Sequence, residues 1–117
     1  MTPDDLEKDV LQTVAHWAYV RHVTLVDKTE HALKMRLHID SACFIQIYAN
    51  PSKSLFSYTL VLNRVRIFGR DCDGGIWHRH PFHDPESHDF SAEGSSSITL
   101  SEFLAEAQHI LQNVGIL

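Results

Sequence analysis

The sequence predicts one soluble α+β domain: an antiparallel sheet of about five to six strands with an N-terminal helix and a C-terminal helix packed on it. Three observations predict it. Apolar residues recur every three to four positions at both ends of the chain, each of those runs opens on a capping box, and between them the period falls to two. At 117 residues the chain can bury a core without a disulfide or metal to staple it, and no linker or repeat divides it. Residues 1–117 are therefore read as a single domain.

The first helix is announced by Thr2 as a cap, Pro3 at the first helical position and Asp5 at the capping-box spacing. Leu6, Val10, Val14 and Trp17 then share one face, which predicts about four turns. The run Val20 to Val26 is rich in β-branched residues, and Leu33, Met35, Leu37 and Ile39 alternate with Lys34, Arg36, His38 and Asp40. The polar Asp27-Lys28-Thr29-Glu30 between them suits a hairpin. A third strand, Cys43 to Tyr48, stops at the turn Asn50-Pro51-Ser52-Lys53-Ser54, because proline cannot continue a ladder. A fourth, Leu55 to Leu62, and a fifth, Val65 to Arg70, are separated only by Asn63-Arg64, a tight hairpin or a bulge. Asp71-Cys72-Asp73-Gly74-Gly75 reads as a turn, and Ile76 to Phe82 as a short edge strand ending at Pro81. Residues 84–97 read as a mobile loop. The closing helix starts at Thr99 with Glu102 as the second capping box, buries Phe103, Leu104, Ala107, Ile110 and Leu111, and ends at Gly115.

Composition excludes several functions. No apolar run is long enough to span a bilayer, and the acidic start Met1-Thr2-Pro3-Asp4-Asp5 lacks the basic and apolar regions of a signal peptide, so a cytoplasmic location is expected. Cys43 and Cys72, in no CxxC spacing, are expected to be separate thiols. The net charge of −5 argues against a general polyanion binder. It conceals a division: residues 1–19 carry net −3, residues 20–70 net +5 and residues 71–117 net −7. A basic middle between acidic ends fits an anion-binding sheet face, or ends that neutralise the middle by packing on it.

The chemistry concentrates in Trp77–His88, where four of the nine histidines fall within residues 78–88. Read alone, these residues leave three explanations open. His78 and His80, two apart on a strand, point to one face and could share an ion with His83, His88, Asp84 or Asp71, but no cysteine pair or HExxH accompanies them, and no metal or cofactor is assigned. Alternatively, imidazoles titrate near neutral pH and can move a proton while Arg64, Arg66 or Arg79 grips a phosphate. Or the loop merely tolerates histidine. Asp71 and Asp73 flank the expected turn, where aspartates commonly bond their own backbone.

The stretch LNRVRIFGRDCDGGIWHRHPFHDPESHDFS from Leu62 to Ser91, followed by ITLSEFLAEAQHIL, resembles the TumE family of small toxins from prokaryotic toxin–antitoxin pairs. The resemblance covers about two thirds of the chain, and WHRHPFHDP is its most specific part. It implies a toxin neutralised by a cognate antitoxin and acting on RNA. By resemblance the catalytic group is His78, His80 and His83 with Asp71, and Arg66 and Arg79 are the candidate phosphate contacts. Where family members carry Asp-Asn-x-x-His, this chain reads Asp71-Cys72-Asp73-Gly74-Gly75. The expected mechanism has one imidazole take the 2′-hydroxyl proton while another protonates the leaving oxygen. The alternatives are a non-catalytic protein-binding module and a metal-dependent hydrolase. The edge strand at Ile76 to Phe82 also offers a surface on which a second copy could form a homodimer.

Overall fold

The computed structural model describes residues 1–117 and has the expected α+β architecture. Helix α1 (Pro3–Val14) is followed by β1 (His22–Lys28), β2 (Leu33–His38), β3 (Cys43–Asn50), a single 3-10 turn at Pro51–Lys53, β4 (Leu55–Leu62), β5 (Val65–Asp73), β6 (Ile76–His80) and α2 (Leu100–Asn113). The six strands pair in chain order, each antiparallel to the next. No helix is long and apolar enough to cross a membrane.

Both helices start at the capping boxes: Thr2 with Asp5 and Thr99 with Glu102 exchange the reciprocal side-chain bonds that satisfy the first free N–H groups. They cover one face of the sheet. Leu33, Met35, Leu37, Ile45, Ile47, Leu60 and Phe68 meet Val10 of α1 and Phe103, Leu104, Ala107 and Leu111 of α2 in one buried cluster. Strict alternation along β2 and β3 sends Lys34, Arg36, His38, Phe44, Gln46 and Tyr48 to the other face, which no helix covers. Cys43 and Cys72 are both buried and unbridged, and burial pushes the Cys43 thiol up to about 11.

Several boundaries differ from the sequence reading. Helix α1 stops at Val14, because the N–H groups of His16 and Trp17 turn back to the carbonyls of Thr13 and Val14 and tighten the last turn. Trp17 instead anchors the helices to each other, its indole Nε1 donating to Gln108 Oε1 at 3.0 Å. Strand β1 begins two residues after Val20, at His22. The fifth strand runs on to Asp73, so Asp71 and Cys72 lie in a ladder and not in a turn. Gly74 and Gly75 alone make that turn, with φ of +60° and +88°, values a side chain would resist. Asn63-Arg64 is a tight hairpin with positive φ at both residues, and a bulge follows it where the β4–β5 register shifts between Leu60 and Val61. Ile110 is half-buried.

The segment after β6, read as mobile, is tied to the sheet. Arg79 and Asp89 exchange both backbone hydrogen bonds, which also caps the outer edge of β6 at that point. The Arg79 guanidinium binds Asp89 Oδ2 through Nε and Nη2 at 2.9 and 2.6 Å. Hydrogen bonds from Ser91, and then Arg79, hold the Asp89 carboxyl down at about 2. Gly94 packs so closely on Asp89 that a Cβ there would collide with the Asp89 carbonyl.

Arg70 is the other tether. It is 4% exposed, and its guanidinium takes Glu106 of α2 bidentately at 3.1 and 2.6 Å while Nη1 donates to the carbonyls of Glu93 and Gly94. One side chain thus joins sheet, helix and loop. Glu106→Ala leaves a buried cation with only carbonyl partners, and is expected to cost about 2–3 kcal/mol, below the range for a fully buried pair because Glu106 is partly solvated. The urea unfolding midpoint measures this; an unchanged midpoint would mean that water replaces the carboxylate without penalty.

Candidate functional site

The β5–β6 register sets Asp71 opposite His78 and Gly69 opposite His80. Alternation then places Asp71, His78 and His80 on the sheet face away from the helices, and Trp77 and Arg79 on the helix side. Gly69 leaves the strand bare beside His80: an added Cβ would lie in ordinary contact with His80, 3.7 Å from its Cβ and Cδ2, and more tightly, at 3.3 Å, against the Tyr58 carbonyl. The ring is 3% exposed. Its Nδ1 lies 2.9 Å from the Pro85 carbonyl, and since a carbonyl only accepts, Nδ1 carries the proton.

Its other nitrogen faces the cluster. His80 Nε2 lies 3.1 Å from His78 Nε2 and 3.1 Å from Asp71 Oδ2, while His78 Nε2 lies 3.6 Å from the same Oδ2. The second Asp71 oxygen, Oδ1, accepts from Ser57 Oγ at 2.7 Å, which fixes the carboxylate's orientation. The loop then brings His88 over the pair, its ring centroid 4.7 Å from His78 and 4.8 Å from His80. Phe90 packs at the edge, 5.3 Å from the His78 ring. Burial depresses the His78 imidazolium, and charge on His80 and His88 adds to this against the opposing pull of Asp71. The ligand-capable nitrogens of His78, His80 and His88 all lie within 4.8 Å of one another.

Of the residues singled out from sequence, Asp71, His78 and His80 are brought together, and Arg66 stands beside them: its Nη2 is 3.4 Å from the same Pro85 carbonyl that His80 uses. Arg66 has no carboxylate partner, and its Nε has no hydrogen-bond partner at all. Arg79 is not brought to the cluster, being engaged by Asp89 and by Glu93 at 3.3 Å. His83 is exposed and stands outside it too. No protein-family model, curated protein or solved structure matches the chain. The site therefore rests on its own geometry.

Ser57 was missed from sequence. The signal is there, since pairing the fourth and fifth strands puts Ser57 across from Asp71, but a register cannot be counted across a hairpin while the position of its bulge is unknown. By sequence His88 is only a possible third ligand, and the Pro85 carbonyl carries no side-chain signal.

Proposed function

We propose that this protein is a TumE-like toxin of a toxin–antitoxin pair that cleaves RNA at the His78/His80/His88/Asp71 cluster, acting in the cytoplasm and neutralised by a cognate antitoxin protein. The observation that carries the reading is the convergence of three imidazoles and a carboxylate on the sheet face that no helix covers, beside an arginine with no carboxylate partner. Titratable groups packed this closely are seldom needed to hold a sheet together, and here the core lies on the other face.

Our reading gives the residues roles other than those expected from sequence. In-line displacement at phosphorus puts the attacking and leaving oxygens on opposite sides, so two ring nitrogens in contact at 3.1 Å cannot serve one oxygen each. His80 is also too buried to touch a substrate. His88, exposed at the mouth of the cluster, is the group that can take the 2′-hydroxyl proton, with His78, His80 and Asp71 behind it. The 2′-oxygen then attacks the adjacent phosphorus and expels the 5′-oxygen, which collects a proton from water. In this reading the Arg66 guanidinium offsets the charge that develops on the phosphoryl oxygens.

The test is growth after induced expression of the intact chain beside His80→Ala and Asp71→Ala variants matched for folding and abundance, followed by incubation of purified protein with RNA and with an all-DNA analogue. The expected outcome is growth arrest by the intact chain only, with RNA cut to fragments bearing 2′,3′-cyclic phosphates and the DNA untouched. A chain that does not arrest growth, or that cuts the DNA analogue, would sink the reading.

A further inference from the structure

The geometry points to a binding site for one divalent first-row metal ion of the zinc type, held by His78 Nε2, His80 Nε2 and Asp71 Oδ2. These atoms form a triangle with sides of 3.1, 3.1 and 3.6 Å. An ion bonded tetrahedrally at about 2.0–2.1 Å separates its ligands by about 3.3–3.4 Å, so the triangle is close to one face of such a tetrahedron.

Hydrogen-bond accounting supports the same site. With the His80 proton on Nδ1, directed at the Pro85 carbonyl, Nε2 presents a lone pair to Asp71 Oδ2, which is itself an acceptor. Two acceptors at 3.1 Å repel unless a positive charge lies between them. A proton makes one directed bond and would satisfy one side of the triangle, whereas an ion within reach of all three atoms satisfies every side.

The surroundings are those of a ligand set. An imidazole ligand characteristically donates its remote N–H to a carbonyl, as His80 does to Pro85, and a ligating carboxylate is itself held, as Asp71 is by Ser57 at 2.7 Å. Two imidazoles with one carboxylate suit zinc and its neighbours, while magnesium and calcium demand mostly oxygen ligands. Three protein ligands leave the fourth position open toward His88, which stays free to exchange protons. The site stands whether or not RNA is the substrate.

The test is titration of the untagged full-length chain, stripped with chelator and dialysed, with Zn2+ by calorimetry and with Co2+ by visible absorption. One ion per chain is expected, with the intense bands of four-coordinate Co2+, undiminished by millimolar Mg2+. His80→Ala and Asp71→Asn, confirmed as folded by circular dichroism, should lose saturable binding. Ser57→Ala should bind about 10–100-fold more weakly, because the carboxylate loses its orienting bond. His88→Ala and the remote His31→Ala should still take up one ion. Failure of the intact chain to bind either ion, with the imidazoles titrating as in the absence of metal, would overturn the site in favour of a shared proton. Loss of the ion in His88→Ala as complete as in His80→Ala would overturn the three-ligand assignment. An inert but ion-binding protein would defeat the RNA reading alone.

Discussion

On the proposed reading, replacing His88 with alanine is expected to slow RNA cleavage by about 10²–10⁴-fold, the usual contribution of a positioned general acid or base. The stability of the fold should barely change. His88 is exposed and lies on the loop, so its ring supports no part of the core, and its contacts are with the rings of His78, His80 and Phe90. The same comparison separates two assignments. By sequence, His83 belongs to the catalytic group; in the fold, it stands exposed and outside the cluster while His88 closes over it. Initial rates on a short labelled RNA, for His83→Ala and His88→Ala measured side by side with melting curves, decide between them. A loss in His83→Ala as large as in His88→Ala would return catalysis to the residues nearest β6. A loss in His88→Ala accompanied by a lowered melting temperature would make its effect structural.

The contrast between His83 and His88 shows where a sequence stops being informative. Period-two alternation locates His78 and His80 on one face because a strand repeats every second residue, and that inference needs no knowledge of neighbours. The capping boxes at Thr2 and Thr99 are equally local, and both hold. Beyond β6 the chain has no period, so nothing in its residue order says that Pro85 and His88 fold back over the sheet while His83 turns outward. That path is set by Arg79 pairing with Asp89 and by Arg70 holding the carbonyls of Glu93 and Gly94. By sequence Arg79 is a candidate phosphate contact and Arg70 carries no assigned role, because an arginine's partner is not visible until the fold brings it near. The turn at Asp71–Gly75 was misplaced for a related reason. Asp-Cys-Asp-Gly-Gly has turn composition throughout, but only the glycines accept positive φ, and the ladder with β6 extends the strand through the aspartates. Asp71, which the resemblance sets in the catalytic group, thereby comes to face His78 from a strand across the hairpin and not from a turn.

The other large effect lies on the opposite face of the sheet. Phe103→Ala is expected to destabilise the protein by about 3–5 kcal/mol, the range for removing a buried phenylalanine when the walls close in only partly. Phe103 has no exposed surface; its ring stacks on Phe68 at 5.6 Å and meets Tyr58 at 5.4 Å, so one side chain of α2 is held by residues from both β4 and β5. Its walls are strands locked in a ladder and the helix itself, and neither can move in by the radius of a ring without breaking hydrogen bonds elsewhere. Phe103→Leu, which keeps most of the volume, should cost clearly less. Urea unfolding gives the magnitude, with an unchanged slope indicating that the unfolded state is not what moved. A cost below about 1 kcal/mol would mean that α2 is loosely seated and that the buried cluster does not depend on this ring. The distinction bears on the histidines, because Ser57 and Asp71 stand on the reverse of these same strands. If α2 is the clamp that keeps β4 and β5 in register, Phe103→Ala should also widen the spacing that the Ser57–Asp71 bond maintains. That loss would show as weakened ion uptake at a temperature where the variant is still folded.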